Sequence, residues 1–197
     1  MSPNQAKSSP GNILLVDDTP DNLRFLSTVL SEKGYKVRSV INGQMALRAV
    51  QAAPPDLILL DIKMPQMNGY EVCQQLKADT QTAEIPVIFV SALNDVSDKI
   101  KAFNAGGVDY ITKPFQCEEV LARTANQLAL LQLKRRLQTQ NAQLQQEIGE
   151  RKQVEAALQS AKTELEQKVE ERTAALKASN AQLTAEVAER KQAENSL

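Results

Sequence analysis

One stretch near the middle of the chain, Asp56–Gly69, constrains the fold more than any other. It contains Leu57–Leu60, an unbroken apolar run between Pro54-Pro55 and a turn rich in Pro, Asn and Gly. Such a run is typical of a strand buried on both faces of a parallel sheet. Asp61 ends this strand, and ligands of open α/β sheets bind beyond the carboxyl ends of the strands. Asp is also a common turn residue, so this position alone leaves both interpretations open.

Four further segments have the pattern of β-strands, and helical patterns lie between them. The strands are expected at Asn12–Val16, Tyr35–Val40, Ile85–Val90 and Asp109–Thr112, and the helices begin near Pro20, Asn42-Gly43, Gly69 and Asn94 or Asp95. Strands that alternate with helices indicate βαβ units, right-handed crossovers and a parallel sheet. The sequence therefore predicts a doubly wound α/β domain in which helices cover both faces of a five-stranded sheet.

Polar side chains follow four of these strands, at the edge where parallel strands end: Asp17-Asp18, Asp61, Ser91 and Lys113. Each has an ordinary explanation alone, as a helix cap, a turn residue, a loop hydroxyl or a surface charge. Together they bring three carboxylates to one place, where two like charges about 4 Å apart repel by about 4 kcal/mol at an effective dielectric constant of 20. One lysine does not offset this repulsion. A hard divalent cation with oxygen ligands would, and Mg²⁺ is the usual one beside phosphates.

The chemistry that fits this edge is phosphoryl transfer to Asp61, because an aspartate can accept a phosphoryl group as an acyl phosphate. Such a reaction depends on positioning and charge neutralisation more than on acid–base groups. The chain has no histidine, which excludes a histidine metal site, a histidine-dependent triad and a phosphohistidine on this chain.

These motifs resemble the receiver domain of bacterial two-component response regulators over about Asn12–Leu128. The matching segments are Val16-Asp17-Asp18, Asp61–Pro65 with Gly69, Ser91-Ala92 and Tyr110–Phe115. The resemblance implies a flavodoxin-like sheet with strand order 2-1-3-4-5. It also implies a receiver domain over residues 12–128.

The resemblance further implies a metal site and a phosphoacceptor. Asp61 would accept the phosphoryl group. Asp17 and Asp18 would hold Mg²⁺ together with Asp61 and the backbone carbonyl of Lys63. The family varies the position of Lys63, and this residue is expected to affect how long the phosphoryl group survives.

Three other residues would respond to phosphorylation. Ser91 would contact a phosphoryl oxygen, and Lys113 would form an ion pair with the phosphoryl group. Tyr110 would swing inward as Ser91 moves, which would repack the surface formed by the fourth helix, fifth strand and fifth helix. The peptide between Lys113 and Pro114 would be cis, as X-Pro bonds tolerate.

The composition changes near residue 115. Every aromatic residue lies at or before Phe115, and Gly149 is the only glycine after Gly107. This change predicts one globular domain followed by a long helical extension.

Residues 1–11 carry no apolar stretch and are expected to be a disordered arm rather than a signal peptide. No segment is long and apolar enough for a transmembrane helix. Cys73 and Cys117 have neither metal-site spacing nor a disulfide framework, which suits a reducing cytoplasm.

Residues 129–197 are expected to form a coiled-coil signalling helix. About eighty helical residues from Glu118 would span about 120 Å, which is stable only when the helix pairs. Residues 137–158 and 176–197 repeat one another with twelve of twenty-two positions identical. Heptad positions a and d hold six leucines, Ile148, Val187 and two asparagines, Asn141 and Asn180. The remaining core positions hold charged residues that mark weak places in the coil: Arg151, Glu155, Arg190 and Glu194.

An asparagine at position a favours a parallel, in-register dimer. The two copies start 39 residues apart, so a four-residue stutter must fall between Arg172 and Leu176. A passive spacer is the alternative interpretation. Charges in this segment are balanced and aromatics are missing, so no nucleic-acid partner is expected.

The expected function is a phosphorylation-dependent switch in a two-component phosphorelay rather than an enzyme. A separate histidine kinase or phosphotransfer protein would phosphorylate Asp61, and a dimeric coil would pass the change to an output domain or partner. The Glu-Arg-Lys-Gln-Ala-Glu segment resembles linkers that precede sensor or histidine-kinase dimerisation domains. Leu197 ends without a helix stop signal, so an output domain could follow.

Two other functions stay open. Aspartyl phosphatases also use a nucleophilic aspartate with Mg²⁺, but by resemblance they carry a second aspartate two residues later, where this chain has Lys63. A coiled-coil adaptor would use the receiver only for docking, and Asp61→Asn would leave it unaffected.

Overall fold

The computed structural model describes residues 11–92 and 96–194. Two compact units are present, Met1–Arg136 and Leu137–Leu197. The arm expected at residues 1–11 lies almost wholly outside the described residues. The helix cap expected at Asn94 or Asp95 and the chain end at Leu197 also lie outside them.

The first unit contains a five-stranded parallel sheet in the order β2-β1-β3-β4-β5, which confirms the predicted fold class. The strands are β1 Asn12–Val16, β2 Lys36–Val40, β3 Leu57–Asp61, β4 Val87–Ser91 and β5 Asp109–Thr112.

Two strands begin later than the apolar pattern predicts. Ile85 donates its N–H to Thr82 in the preceding turn, and Pro86 has no N–H to offer a neighbouring strand. Strand β4 therefore starts at Val87 and extends to Ser91. The N–H of Tyr35 is likewise used by Leu30, so β2 starts one residue later.

Five helices accompany the strands: α1 Pro20–Glu32, α2 Gly43–Ala52, α3 Gly69–Ala78, α4 Val96–Asn104 and α5 Cys117–Glu194. Proline stands at the start of α1, where its missing N–H costs nothing. Asn42 caps α2, and Asn68 forms a reciprocal capping box with Glu71 at the start of α3. The peptide between Lys113 and Pro114 is cis, as the resemblance implied.

The core has two layers, one on each face of the sheet. Alternate residues of a strand point to opposite faces, so Leu14 belongs to one layer and its neighbours Ile13 and Leu15 belong to the other. The second layer also contains Val120 and Leu128 of α5. The first part of α5 therefore closes the globular core, because its apolar side chains cover one face of the sheet.

Contacts between α5 and the loops of the first unit continue beyond its buried turns. Lys134 forms an ion pair with Glu84, and Arg135 forms one with Asp56 at 2.8 Å. Both acids lie at the amino ends of strands, at the edge opposite Asp61. The predicted domain boundary at residue 128 stays a prediction.

The second unit is helical throughout its described residues and buries none of the side chains that are described. Its apolar residues at a and d are 46 to 70% exposed, with Ile148 and Leu158 at the two extremes. Ion pairs one turn apart, such as Glu147 with Arg151 at 3.0 Å, support the exposed helix. Across the described ranges, no helix has an apolar stretch long enough to cross a membrane.

Candidate functional site

Two buried carboxylates meet at the carboxyl edge of the sheet because β1 and β3 are neighbours. The register pairs Val16 with Leu60, so the residues that follow, Asp17 and Asp61, lie side by side. These two residues are 2% and 4% exposed. Asp18 is exposed, and one carboxylate oxygen from each of the three lies within 4.8 Å of the others. The structure brings together the three carboxylates that the sequence placed at one edge.

Lys113 bridges two of these carboxylates from the end of β5. Its Nζ donates to Asp17 Oδ2 at 2.8 Å and to Asp61 Oδ1 at 2.9 Å. Ser91 ends β4, the strand between β3 and β5, and is 6% exposed. The backbone N–H of Lys113 donates to the Ser91 carbonyl at 2.8 Å. This bond ties the two strand ends that carry the hydroxyl and the ammonium.

The site carries more negative charge than its lysine offsets. Burial raises the pKa of Asp61 above its ordinary value, Lys113 opposes the shift, and the charges of Asp17 and Asp18 add to it. Burial acts to lower the pKa of Lys113, but its hydrogen bonds to Asp17 and Asp61 outweigh that effect and the pKa is raised. The lysine therefore stays an ammonium, and the buried carboxylate still costs free energy when ionised.

These residues fit Mg²⁺. The donors are all carboxylate oxygens, which hard cations prefer, and the exposed Asp18 leaves room for the water ligands that Mg²⁺ keeps. The raised pKa of Asp61 also favours a cation at this site. A bound cation would offset the negative charges of Asp17 and Asp18, which contribute to that shift. An acidic triad of this kind is typical of the Mg²⁺ site of receiver domains.

The loop after β3 lies against the site because Gly69 allows a very close approach. A Cβ at Gly69 would lie 2.3 Å from the backbone oxygen of Asp61, a distance that no side chain tolerates. The N–H of Gly69 also donates to the Ile62 carbonyl at 2.9 Å. The start of α3 is thereby fixed directly against the backbone of the candidate phosphoacceptor.

A cleft of about 560 Å³ opens beside the carboxylates, and sequence reasoning did not anticipate it. Its lining includes Asp18, Lys63, Met64, Pro65 and Tyr70. Lys63, expected to offer its backbone carbonyl to the cation, thus lies in the same cleft as Asp18. The cleft therefore opens to solvent beside Asp18, the exposed carboxylate of the three.

Sequence reasoning also missed one polar side chain that contacts the site. Asn22, in the first turn of α1, donates from Nδ2 to both carboxylate oxygens of Asp17, each at 3.0 Å. The only available signal was its spacing, five residues after Asp17, across a turn that starts a helix. That spacing has no meaning until the path of the turn is known.

Tyr110, expected to act as the switch, lies half-buried in β5 among charged neighbours. The Lys99 ammonium lies 4.4 Å and the Arg123 guanidinium 5.4 Å from its ring centroid. Arg123 is held in turn by an ion pair with Asp109 at 2.6 Å. Phe103 meets the ring edge-on. Two cations therefore stabilise the observed position of the ring.

Comparison with known proteins agrees with this geometry. The family model described as response regulator receiver domain matches residues 13–125. The transcriptional regulator RpaA of Synechocystis is 42% identical over 111 residues, which cover 56% of this chain and 46% of that protein. A probable cyclic di-GMP phosphodiesterase of Vibrio cholerae is 39% identical over 136 residues, covering 69% and 31%. The matched segment thus spans less than half the length of either relative.

Solved structures give the same result for the globular unit. A response regulator of Chloroflexus aurantiacus superposes with a TM-score of 0.59 at 35% identity, over 61% of this chain and 98% of the other. The receiver domain of a Syntrophus aciditrophicus signal transduction histidine kinase gives 0.57 at 36% identity, over 60% and 90%. With the sheet order, the acidic triad and the bridging lysine, these matches show that the chain belongs to the response regulator receiver domain family.

Proposed function

We propose that the protein is a phosphorylation-controlled switch of the cytoplasm, in which Asp61 accepts a phosphoryl group from a separate histidine kinase or phosphotransfer protein. Receiver domains receive phosphoryl groups from histidine kinases, and this chain belongs to their family. The observation that carries the proposal is the surroundings of Asp61. Its buried carboxylate lies among two further carboxylates and accepts a hydrogen bond from Lys113.

The transfer follows from the groups at the strand ends. A carboxylate oxygen of Asp61 attacks the phosphorus of a phosphohistidine, the phosphorus–nitrogen bond breaks, and the leaving imidazole takes up a proton. Asp17, Asp18, Asp61 and the Lys63 carbonyl would hold Mg²⁺, and the bound ion would supply positive charge for the phosphoryl oxygens. Lys113 moves from the carboxylates to a phosphoryl oxygen, because that oxygen then carries the greater charge.

Transmission starts at the neighbouring strand end. The Ser91 hydroxyl donates to a phosphoryl oxygen, and its movement frees space into which the Tyr110 ring turns. Since Tyr110 contacts α4 through Phe103 and α5 through Arg123, this turn changes the packing of both helices. Helix α5 is the element that continues beyond the receiver.

We infer that the second unit pairs with the same unit of a second protein molecule and forms a parallel coiled-coil homodimer. The support is the row of apolar side chains at a and d that a single chain leaves about half exposed, together with the asparagines at position a. The paired helices pass the receiver's state to an output domain or a partner.

Phosphorylation is tested by the intact mass of the protein after incubation with Mg²⁺ and acetyl phosphate. We expect one added phosphoryl group on wild-type protein, none on Asp61→Asn, and none when EDTA removes the cation. If folded wild-type protein gains no mass, a stable complex with fluoroberyllate separates a short-lived phosphoaspartate from a receiver that serves only for docking. An adduct of equal yield on Asp61→Asn would refute the assignment of the acceptor.

A further inference from the structure

Three hydrogen-bond donors hold the carboxylate of Asp17, and they differ in whether they also contact Asp61. Its Oδ1 accepts from the Thr19 backbone N–H at 2.8 Å, and its Oδ2 accepts from Lys113 at 2.8 Å. The amide of Asn22 contacts both oxygens at 3.0 Å. Of these three donors, only Lys113 also donates to Asp61, the proposed phosphoacceptor.

We propose that Asn22 is a positioning residue for the divalent cation: its side-chain amide fixes the plane of the Asp17 carboxylate and keeps it turned toward Asp18 and Asp61. The inference rests on the proposed function, in which the acidic triad binds Mg²⁺ and Lys113 moves to the phosphoryl group.

The need for Asn22 follows from the departure of Lys113. Once the lysine has moved, the Thr19 N–H holds a single oxygen and leaves the carboxylate of Asp17 free to rotate about its Cβ–Cγ bond. A donor that contacts both oxygens prevents this rotation. Among the described side chains that donate to Asp17, only Asn22 contacts both oxygens and has no bond to Asp61.

The chemistry of the amide suits this task. Facing a carboxylate, its NH₂ group is the favourable side, because the carbonyl oxygen of Asn22 would be repelled. The amide is also neutral, so it orients the carboxylate without competing with Mg²⁺ for negative charge. Groups that orient metal ligands in this way typically contribute a factor of about 10 to 100 in metal affinity.

The direct test is the Mg²⁺ concentration that the full chain needs to form its complex with fluoroberyllate, which stands in for the phosphoryl group and draws Lys113 away from Asp17; the rise of melting temperature with Mg²⁺ concentration monitors this binding. We expect Asn22→Ala to weaken Mg²⁺ binding about 10-fold. Asn22→Leu, which fills more of the space, should show the same loss, so either variant serves if the other does not fold. Arg24→Ala is the matched control on α1, since Arg24 is exposed and pairs with Asp21; it should bind Mg²⁺ as wild type does.

Phosphorylation by acetyl phosphate gives a second measurement that a structural defect would not reproduce. The Mg²⁺ concentration for half-maximal rate should rise by the same factor in the Asn22 variants, while the rate at saturating Mg²⁺ stays within about twofold of wild type. Wild-type Mg²⁺ affinity in a folded Asn22 variant would overturn the role of Asn22 and leave the proposed function intact. Wild-type protein that binds no Mg²⁺ would overturn both.

Discussion

At the scale of single residues, the site combines burial with unbalanced charge, and Asp61 shows the cost. Because burial raises its pKa above 3.8, the folded state holds this proton more tightly than the unfolded state does. The contribution of Asp61 to stability is therefore present below pH 3.8 and is lost as the pH rises through the folded-state pKa. At neutral pH the ionised carboxylate destabilises the fold, a cost that its function requires.

Replacing this carboxylate should stabilise the protein when no divalent cation is present. At about pH 7 in EDTA, Asp61→Asn should raise the urea midpoint, and the advantage should shrink as the pH falls toward about 4. Tyrosine fluorescence follows the globular unit, because Tyr35, Tyr70 and Tyr110 all lie in it. Mg²⁺ at ten times its dissociation constant should add about 1.4 kcal/mol to wild type and less to the variant.

Asp18 provides the matched control. Because its carboxylate is exposed, its ionised form costs little desolvation free energy, and replacing it removes little of that cost. Asp18→Asn should change the midpoint in EDTA less than Asp61→Asn does. A lower midpoint for Asp61→Asn than for wild type would show that its bond with Lys113 outweighs the cost of burial.

The two thiols should react at very different rates. Cys73 is 0% exposed, and burial raises its pKa to about 11 while Lys77 opposes the shift. At about pH 8 only about one Cys73 in a thousand would be a thiolate. Iodoacetamide should label the half-exposed Cys117 and leave Cys73 unmodified until the protein unfolds, as peptide mass spectrometry would show.

Cys117→Ser isolates the slow thiol. In this variant, labelling at Cys73 should accelerate with urea in step with loss of tyrosine fluorescence. Rapid labelling of native protein would mean that α3 opens locally without global unfolding.

At the scale of elements, the start of α3 is coupled to Asp61 by backbone contact. In Gly69→Ala the added Cβ would collide with the backbone oxygen of Asp61, and neither partner is a side chain that can rotate away. We expect a loss of about 2 kcal/mol or more in the free energy of unfolding and slower phosphorylation. Urea unfolding and the acetyl phosphate reaction measure the two effects.

The chain offers a matched glycine for comparison. Gly149 lies inside α5, and no atom outside its own helix turn lies within 4 Å of the position that a Cβ would occupy there. Gly149→Ala should therefore stabilise the helix by about 1 kcal/mol, the difference in helix propensity. Equal effects of the two substitutions would contradict the steric explanation for Gly69.

At the scale of the whole molecule, the proposed dimer depends on apolar residues of the second unit. Leu144→Lys places a charge at a d position that is 54% exposed in the single chain. We expect this variant to weaken self-association by about tenfold or more in sedimentation equilibrium, with tyrosine fluorescence of the receiver unchanged. Gln146→Lys, on the outer side of the same heptad, should associate as wild type does.

Much of the fold was predictable because it depends on local patterns. Short apolar runs such as Leu57–Leu60 identify strands wherever both faces of a sheet are covered, and alternation with helices then implies parallel pairing. Strand ends were less predictable. Strand β4 starts later than predicted because the Ile85 N–H bonds to Thr82 in the preceding turn and Pro86 has no N–H to donate. An apolar pattern contains no information about such hydrogen bonds.

The sequence by itself determined the type of each element, the edge that gathers Asp17, Asp61 and Lys113, and the helical character of the C-terminal part. Only the tertiary structure decided the contacts around them. Lys113 meets Asp17 across 96 residues of sequence, and Asn22 meets it across a turn whose path no pattern specifies. The physical reason is that burial periodicity acts along the chain, whereas a hydrogen bond depends on distances of about 3 Å that are set when separate segments pack.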